Sequence, residues 1–263
     1  MKKVLTILVI LLFFGVNKGN CLRIVVLYPA VSPILKALGV PSDWIVGITK
    51  TDKTYPKAIK VGSHLRPNLE LIKALHPDLL IVGSKRAFPP ALEKRIGIKV
   101  FRYDPRTLSG ILKRINALGN LLGKKHQVKK LIKKLQTLLK RVRPLPRRVG
   151  VIYEVMSNPL RVSGAKDIIS DIIWYAGGKN LITAPKKHVA ISPEEILALN
   201  PDFYIYQVGP MNKNPIPPKK RPYFKDLKAV VIKVKEKEFA RPGINSFYAV
   251  IKLNKIFWSY FKK

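Results

Sequence analysis

Two segments that lie 124 residues apart in the chain repeat one another. Residues 70–82 read ELIKALHPDLLIV and residues 194–206 read EEILALNPDFYIY, with the Ala-Leu pair, the Pro-Asp pair and two isoleucines at matching places. The β-branched runs at 25–27 and 149–151 are separated by the same interval. Self-similarity at a fixed offset indicates a repeated structural unit. The sequence therefore predicts two homologous lobes of about a hundred residues each, an ordinary size for a folded domain.

Within each half, short apolar runs alternate with segments of helical periodicity. The predicted strands are 23–28, 78–83, 98–103, 149–153, 202–206 and 229–234. The predicted helices include 32–38, 90–96, 166–176 and 244–260. Strands that alternate with helices indicate parallel sheets and an α/β fold. Such folds bind ligands at the carboxyl ends of their strands, so we expect a ligand cleft between the two lobes.

The segment between the two halves, residues 107–143, has apolar residues at helical spacing and no strand pattern. It predicts one long amphipathic helix or two consecutive ones, ended by Pro144 and Pro146. The polar side of this segment is basic and carries Lys124, Lys125, Lys129, Lys130, Lys133, Lys134, Lys140 and Arg141. The predicted organisation is a leader at 1–20, an N-terminal lobe at 21–106, a helical linker at 107–143 and a C-terminal lobe at 144–263.

Charge and cysteine content limit the class of protein. The chain has 50 Lys and Arg residues against 15 Asp and Glu, a formal net charge of +35. Self-repulsion of this size has to be screened by salt or by an anionic partner. Because 47% of the residues are hydrophobic, the chain can still bury a core. Its single cysteine excludes a disulfide framework and any metal site built from several cysteines.

The first twenty residues have the pattern of a secretory signal, with a positive start and an apolar run at 4–16 that is too short for a membrane span. We therefore expect an exported protein, in the periplasm or at the outer face of the cytoplasmic membrane. Cys21 stands where a lipoprotein has its lipidated cysteine, although Lys18 and Asn20 depart from the usual lipobox. Lipidation of Cys21 and simple cleavage beside it are both open. The basicity of an exported protein favours anionic lipid or an acidic solute over nucleic acid as its partner.

The sequence contains no catalytic signature. Residues 119–125, GNLLGKK, are similar to a phosphate-binding loop but lack the final Ser or Thr and lie in a helical pattern. There is no G-x-S-x-G, no H-E-x-x-H and no dinucleotide fingerprint. We expect a binding protein with no enzymatic activity and no intrinsic cofactor. The alternative is a secreted cationic protein that binds polyanions or acidic membrane surfaces through its lysine-rich linker, with a steep dependence on salt.

Five segments spread over nearly the whole mature chain resemble one known family. They are LYPAVSPILKALGV, VGSHLRPNLELIKALHPDLLIV, PLRVSGAKDIISDIIWYAGGKNL, ISPEEILALNPD and the late ARPG. The family is that of the periplasmic substrate-binding proteins of ABC importers for cobalamin, ferric siderophores and heme. The resemblance implies two Rossmann-like lobes bridged by one rigid helix, with a modest hinge motion. It also implies a metal-chelate ligand and, as partners, a permease and its ATPase subunit.

The resemblance also assigns docking residues. In the cobalamin-binding relatives one surface glutamate on each lobe meets arginines of the permease, and by motif these glutamates fall on Glu70 and Glu194. The repeat places both at equivalent positions, eight residues before a Pro-Asp aspartate. The other interpretation is that each glutamate stabilises the first turn of its helix, through the helix dipole or by completing a cap. The two interpretations are compatible.

His64 and His188 also differ by 124 residues, and each stands six residues before its glutamate. The cobalamin-binding relatives tend to carry tryptophan at the matching positions, and imidazole in place of indole removes stacking area and adds a metal ligand. We predict that the two histidines contact a metal-containing ligand; the alternative is that each caps its own loop. Arginines suit oxyanions and aromatic rings suit a chelate ring, so the predicted site is completed by Tyr28, Arg66, Arg86, Phe88, Phe239 and, best supported by the resemblance, Arg241.

Overall fold

The N-terminal lobe is built on a parallel five-stranded sheet. The computed structural model describes residues 21–262, so the predicted signal at 1–20 lies outside the described residues. The strands are β1 (Ile24–Val26), β2 (Ile45–Ile48), β3 (Ile59–Lys60), β4 (Leu79–Val82) and β5 (Val100–Arg102). The helices are α1 (Ser32–Ala37), α2 (Leu69–Ala74) and α3 (Pro90–Ile96). The strand order is β3-β2-β1-β4-β5, which confirms the predicted α/β class for this half.

Two helices, α4 (Leu108–Leu121) and α5 (Lys125–Leu139), follow β5. The implied single bridging helix is therefore not confirmed, whereas the other prediction, two consecutive helices, is confirmed. Gly123 has a φ of +68°, a left-handed conformation that ends α4. A Cβ atom at Gly119 would overlap the side chain of Val128, so glycine at this position lets α5 fold back closely against α4. The glycines at 119 and 123 thus belong to a tight helical turn.

The C-terminal lobe has a six-stranded sheet of mixed direction. Its strands are β6 (Val149–Ser157), β7 (Leu160–Ser163), β8 (Gly178–Asn180), β9 (His188–Ala190), β10 (Phe203–Val208) and β11 (Val230–Lys235). Its helices are α6 (Ile168–Tyr175), α7 (Pro193–Ala198), α8 (Glu236–Phe239) and α9 (Ile244–Tyr260). The order is β11-β10-β6-β7-β9, with β8 paired to the beginning of β6. Strands β8, β10 and β11 run parallel to β6, whereas β7 and β9 form antiparallel pairs that the sequence did not predict.

The 124-residue repeat is visible in the structure. Helices α2 and α7, and the beginnings of strands β4 and β10, are separated by that interval. Between helix and strand, His76 and Asn200 adopt the same left-handed backbone, with φ of 43° and 42°. Asp78 and Asp202 each accept a hydrogen bond from a backbone N–H at the beginning of the first strand of their lobe. Each half therefore contains a copy of the same helix-turn-strand unit.

One apolar core runs through both lobes. It combines one face of β1 with the buried sides of α1, α4, α5, α6 and α9 and with residues of β6 and β10. Alternate residues of β1 point to opposite faces, so that Ile24 and Val26 enter this shared core while Val25 and Leu27 enter a smaller core on the outer face of the first sheet. A third cluster, around Tyr204, covers the outer face of the second sheet. Among the helices of residues 21–262, none is long and apolar enough to cross a bilayer.

A buried ion pair fixes the long connection between β10 and β11. Arg221 donates two hydrogen bonds to the carboxylate of Glu154, at 2.5 and 2.9 Å, and both side chains are almost inaccessible to solvent. Tyr204 Oη donates to the same carboxylate at 2.6 Å and Asn212 Nδ2 donates to it at 3.2 Å. Because both carboxylate oxygens of Glu154 are bonded twice, this network holds the connection firmly against β6.

Candidate ligand-binding cleft

The two lobes meet at the carboxyl ends of their parallel strands. Asp171, in the first turn of α6, accepts a hydrogen bond from Leu108 N at 2.6 Å, so a carboxylate of the second lobe caps α4. Arg106 Nη1, in the segment between β5 and α4, donates to the carbonyl oxygen of Lys166 at 3.4 Å. The boundary between the lobes, where the cleft is predicted, is therefore bordered on one side by the segment that follows β5 and on the other by the beginning of α6.

Two tyrosines follow the central and last strands of the first sheet. Tyr28 lies two residues after β1 and Tyr103 directly after β5, with ring centroids 6.1 Å apart. Burial raises the pKa of Tyr28 above its ordinary value; Asp104 raises it further, Arg241 opposes the rise and Asp167 adds to it. Since Arg241 and Asp167 belong to the second lobe, Tyr28 lies at the boundary between the lobes.

His64 lies on the exposed turn between β3 and α2. Partial burial lowers the pKa of this imidazole, and the positive charges of Arg241 and Lys187 lower it further. Both of these cations belong to the second lobe, and Lys187 directly precedes His188. The loops that carry the two histidines thus come within electrostatic range of each other, and the neutral form of His64 is favoured.

His188 is the first residue of β9, and its Nε2 lies 3.2 Å from Asp167 Oδ2. Asp167 is almost fully buried and also caps α6, its Oδ1 accepting a hydrogen bond from Ile169 N at 3.4 Å. Histidines that bind metals usually donate their other ring N–H to a carboxylate in this way, which fixes the tautomer and the ring orientation. The same contact also fits the alternative in which His188 stabilises its own loop.

Two of the three predicted aromatic contacts, Phe88 and Phe239, are buried in the cores. Phe88 is 1% exposed and packs in the core on the outer face of the first sheet, since the chain after β4 turns inward through hydrogen bonds to Ser84. Phe239 is 0% exposed and belongs to the core that both lobes share, with its ring centroid 6.3 Å from that of Tyr153. Neither ring is available to a ligand.

The three predicted arginines differ in their surroundings. Arg241 influences the pKa of both Tyr28 and His64, so it lies at the cleft. Arg66 closes the turn that carries His64, because its backbone N–H donates to Ser63 Oγ at 3.0 Å while its guanidinium group is exposed. Arg86 is exposed after β4, and no contact among residues 21–262 connects its side chain to the cleft. A ligand contact for Arg66 or Arg86 stays a prediction.

Glu70 and Glu194 occupy the first turns of α2 and α7, and both are exposed. Helix α2 is capped by Asn68, and α7 is capped by a reciprocal pair in which Ser192 bonds with the next glutamate, Glu195. Neither Glu70 nor Glu194 takes part in a cap, and neither has an ion-pair or hydrogen-bond partner within residues 21–262. The capping interpretation is therefore wrong, whereas interaction with the helix dipole and a docking role are both compatible with these positions.

Sequence reasoning missed Tyr103, Asp167 and Lys187. Tyr103 ends a predicted strand and Asp167 precedes a helical run, the usual place of an N-cap, so both positions carried a usable signal. Of three buried side-chain oxygens that lack a hydrogen-bond partner within residues 21–262, two flank the site: Tyr103 Oη lies next to Tyr28, and Ser163 stands opposite His188 in the register of β7 and β9. Unpaired buried hydroxyls are uncommon, but both side chains are 0% exposed, so neither is assigned as a ligand contact.

Comparison with known proteins decides the family. The profile of a family described as periplasmic binding protein matches residues 24–230. The chain belongs to this family. It is also 26% identical over 253 residues to the high-affinity heme uptake system protein IsdE of Staphylococcus aureus (strain MRSA252), a match that covers 92% of this chain and 80% of IsdE. The resemblance found in the sequence is therefore confirmed.

Solved structures of this family have the same fold. S. aureus IsdE complexed with heme superposes with a TM-score of 0.78 at 24% identity, over 90% of this chain and 99% of that one. The vitamin B12-binding protein BtuF of Vibrio cholerae superposes with a TM-score of 0.72 at 20% identity, over 92% of this chain and 98% of that one. Members of the periplasmic binding protein family are exported and bind solutes outside the cytoplasm. The chain is therefore an extracytoplasmic solute-binding protein.

Proposed function

We propose that the chain is the substrate-binding protein of an ABC importer and that it captures a metal chelate in the cleft between its lobes. The observation that supports this best is the pair of repeat-equivalent histidines, one on each lobe. The charges around His64 come from the opposite lobe, and His188 is held by Asp167 through one ring nitrogen, which leaves Nδ1 as its second nitrogen. An imidazole on each side of the boundary between the lobes is suited to a metal carried inside a ligand.

The charge of the cleft indicates the chemical class of the chelate. The positive charges of Arg241 and Lys187 both lower the pKa of His64, and Arg66 lies on the same turn as His64. Guanidinium and ammonium groups bind carboxylate and other oxyanion oxygens. We therefore propose a chelate that carries acidic groups, and heme, for which IsdE is named, is the first candidate. Ferric siderophores with free oxyanion groups are the next class to test, and cobalamin follows.

The experiment that tests this function starts with the protein as purified. Its absorbance spectrum and its intact mass should reveal a coloured or metal-bearing adduct if the ligand is retained. The stripped protein is then titrated with heme, with ferric catecholate and hydroxamate chelates and with cobalamin. We expect one of the acidic chelates to bind with one-to-one stoichiometry. Failure of all of these chelates to bind would contradict the proposed function.

Replacing His64 or His188 with alanine is expected to weaken chelate binding by at least about tenfold, roughly 1.4 kcal/mol. If both imidazoles act on one metal, the double replacement should cost less than the sum of the single losses. Imidazole binds metal only when it is neutral, so affinity should be full at neutral pH and fall on acidification. Because the pKa of His64 is lowered, the part of this fall that depends on His64 should lie below the ordinary histidine value of about 6.5.

The matched control for this measurement is His126→Ala. His126 is an exposed histidine on α5, away from the cleft, so its replacement should leave the affinity and its pH profile unchanged. An unchanged affinity of the double alanine variant between pH 5 and 8 would assign both histidines to loop structure. The ligand contacts would then have to be sought at Tyr28 and Arg241.

A further inference from the structure

The sequence contains three tryptophans, and all three lie at the edge of the molecule opposite the cleft. Trp44 directly precedes β2, and Trp174 lies in the last turn of α6, which leads into the beginning of β8. Trp258 lies in the last turn of α9, where the neighbouring Tyr260 packs on Phe203, the first residue of β10. The amino ends of parallel strands lie at the edge away from their carboxyl ends, and the cleft is at the carboxyl ends.

Each tryptophan ring has a basic side chain over it. Lys124 Nζ lies 5.6 Å from the centroid of Trp44, and the Arg148 guanidinium lies 3.5 Å from that of Trp174. Trp258 has two such neighbours, the Arg143 guanidinium at 4.6 Å and the Lys262 ammonium at 4.1 Å. Trp174 is 53% exposed, and Tyr175 beside it is 41% exposed. Basic and aromatic side chains are therefore paired at three separate places on this edge.

Helix α5 connects these places and adds most of the charge. It begins beside Lys124 and ends near Arg143, whose backbone N–H donates to Asn254 of α9 at 2.8 Å. Between Asp104 and Glu154 the sequence has 14 Lys and Arg residues and no Asp or Glu. A groove of about 370 Å³ between α5 and α9 is lined by Lys130, Lys133, Lys134, Thr137, Leu138, Arg141 and Tyr248. We define the basal face as the surface formed by the three tryptophans, their basic partners and the exposed side of α5.

Carboxylates at the basal edge are few. They are Asp43, Asp78, Asp202 and Asp226. Asp202 forms a two-bonded ion pair with Arg147 and accepts a hydrogen bond from Gly150 N, and Asp78 accepts one from Arg23 N. Asp43 accepts a hydrogen bond from Cys21 Sγ at 3.9 Å. Three of these four carboxylates are therefore engaged by the protein itself, and the basal face presents a strong excess of positive charge to an outside partner.

We propose that the basal face binds the headgroup layer of an anionic lipid bilayer. Indole rings with an apolar body and a polar N–H partition into that layer, and lysines and arginines near it are attracted by the negative surface potential. Basic side chains stacked on the rings place both kinds of group at the same depth. A polyanion such as a nucleic acid or an acidic polysaccharide would use the charges but would gain less from rings spread over both lobes. This proposal is independent of the chelate-binding function.

The test is sedimentation of the protein with vesicles, in a quadruple variant and a matched control. The basal variant replaces Lys130, Lys133, Lys134 and Arg141 with glutamine. The control variant replaces four exposed lysines away from the basal face, Lys53, Lys57, Lys213 and Lys219, with glutamine and so has the same net charge. We expect the unmodified protein to bind vesicles of phosphatidylglycerol and phosphatidylcholine and not vesicles of phosphatidylcholine alone. The basal variant should bind at least about tenfold more weakly, and the control variant less than about threefold more weakly.

Tryptophan fluorescence supplies a second readout, because every indole of the chain is on the basal face. Bromine-labelled phosphatidylglycerol should quench the intrinsic fluorescence of the bound protein, and Trp174→Ala should reduce the quenched signal. Equal losses in the two quadruple variants would overturn the proposal, since net charge alone would then explain binding. Sedimentation without quenching, or stronger binding to heparin than to the anionic vesicles, would also overturn it. Unchanged thermal unfolding of each variant checks that its fold is intact.

Discussion

A variant in which both Glu70 and Glu194 are replaced with lysine is expected to bind the proposed chelate within about threefold of the unmodified protein and to lose all stimulation of the ATPase of the proposed importer. Both carboxylates are exposed in the first turns of α2 and α7, at the carboxyl-end edge of the two sheets, and neither has an ion-pair partner within residues 21–262. Charges at the rim of an interface steer association and set its orientation, so reversing two of them opposes docking without entering the cleft.

The measurement for this prediction is ATP hydrolysis by the permease and its ATPase subunit in lipid, with ligand-loaded protein added. Each single reversal should have a partial effect, because the two lobes offer separate contacts. The control is a double reversal at the opposite edge, Asp43→Lys with Asp226→Lys, which has the same change in net charge and should leave stimulation intact. Loss of chelate affinity with normal stimulation would contradict the assignment of Glu70 and Glu194 to docking.

Replacing Arg221 with methionine is expected to lower the free energy of unfolding by about 3–5 kcal/mol. The Arg221 side chain is 3% exposed and the Glu154 side chain 0% exposed, so the substitution leaves a carboxylate charge in the interior without its partner. Removing one member of a buried ion pair costs much more than removing both, because the remaining charge has lost its solvation and its counterion together. Chemical denaturation monitored by circular dichroism measures the loss.

Two further variants make this result specific to the buried charge. Combining Arg221→Met with Glu154→Gln removes the uncompensated charge and should recover part of the lost stability. Lys219→Met changes an exposed basic residue of the same connection and should alter stability by less than about 0.5 kcal/mol. If Arg221→Met cost no more than Lys219→Met, the ion pair would contribute nothing to holding the connection between β10 and β11.

The parts of the fold that were predictable are those that depend on local pattern. The repeat located α2 and α7 and their following strands, because a periodic apolar face and a Pro-Asp corner are encoded within a few residues. The antiparallel pairing of β7 with β9 was not predictable, since these are short strands whose partners are set by the hairpin geometry of β6. The sequence predicted either one long helix or two consecutive helices in this segment. It did not decide for a break at Gly123, because a helix can continue through a glycine.

Some residues of the candidate site could be identified from the sequence and others could not. Tyr28 and Arg241 were identified from strand ends and from the family resemblance, and His64 from the 124-residue repeat. All three lie at the boundary between the lobes. Phe88 and Phe239 follow or precede similar elements but face the core, and a single sequence does not say to which side an aromatic ring at the end of an element turns. The proximity of Lys187 to His64 joins residues more than a hundred positions apart, so only the arrangement of the lobes reveals it.

The core that both lobes share limits how independently the two halves can fold. Duplicated halves often keep the ability to fold alone, because each retains its own buried interior. Here β1, α4 and α5 bury their apolar sides against α6 and α9, so either half on its own would expose surface that the other now covers. We therefore expect neither half to be stable as a separate unit, because the apolar sides of these elements would be exposed to water.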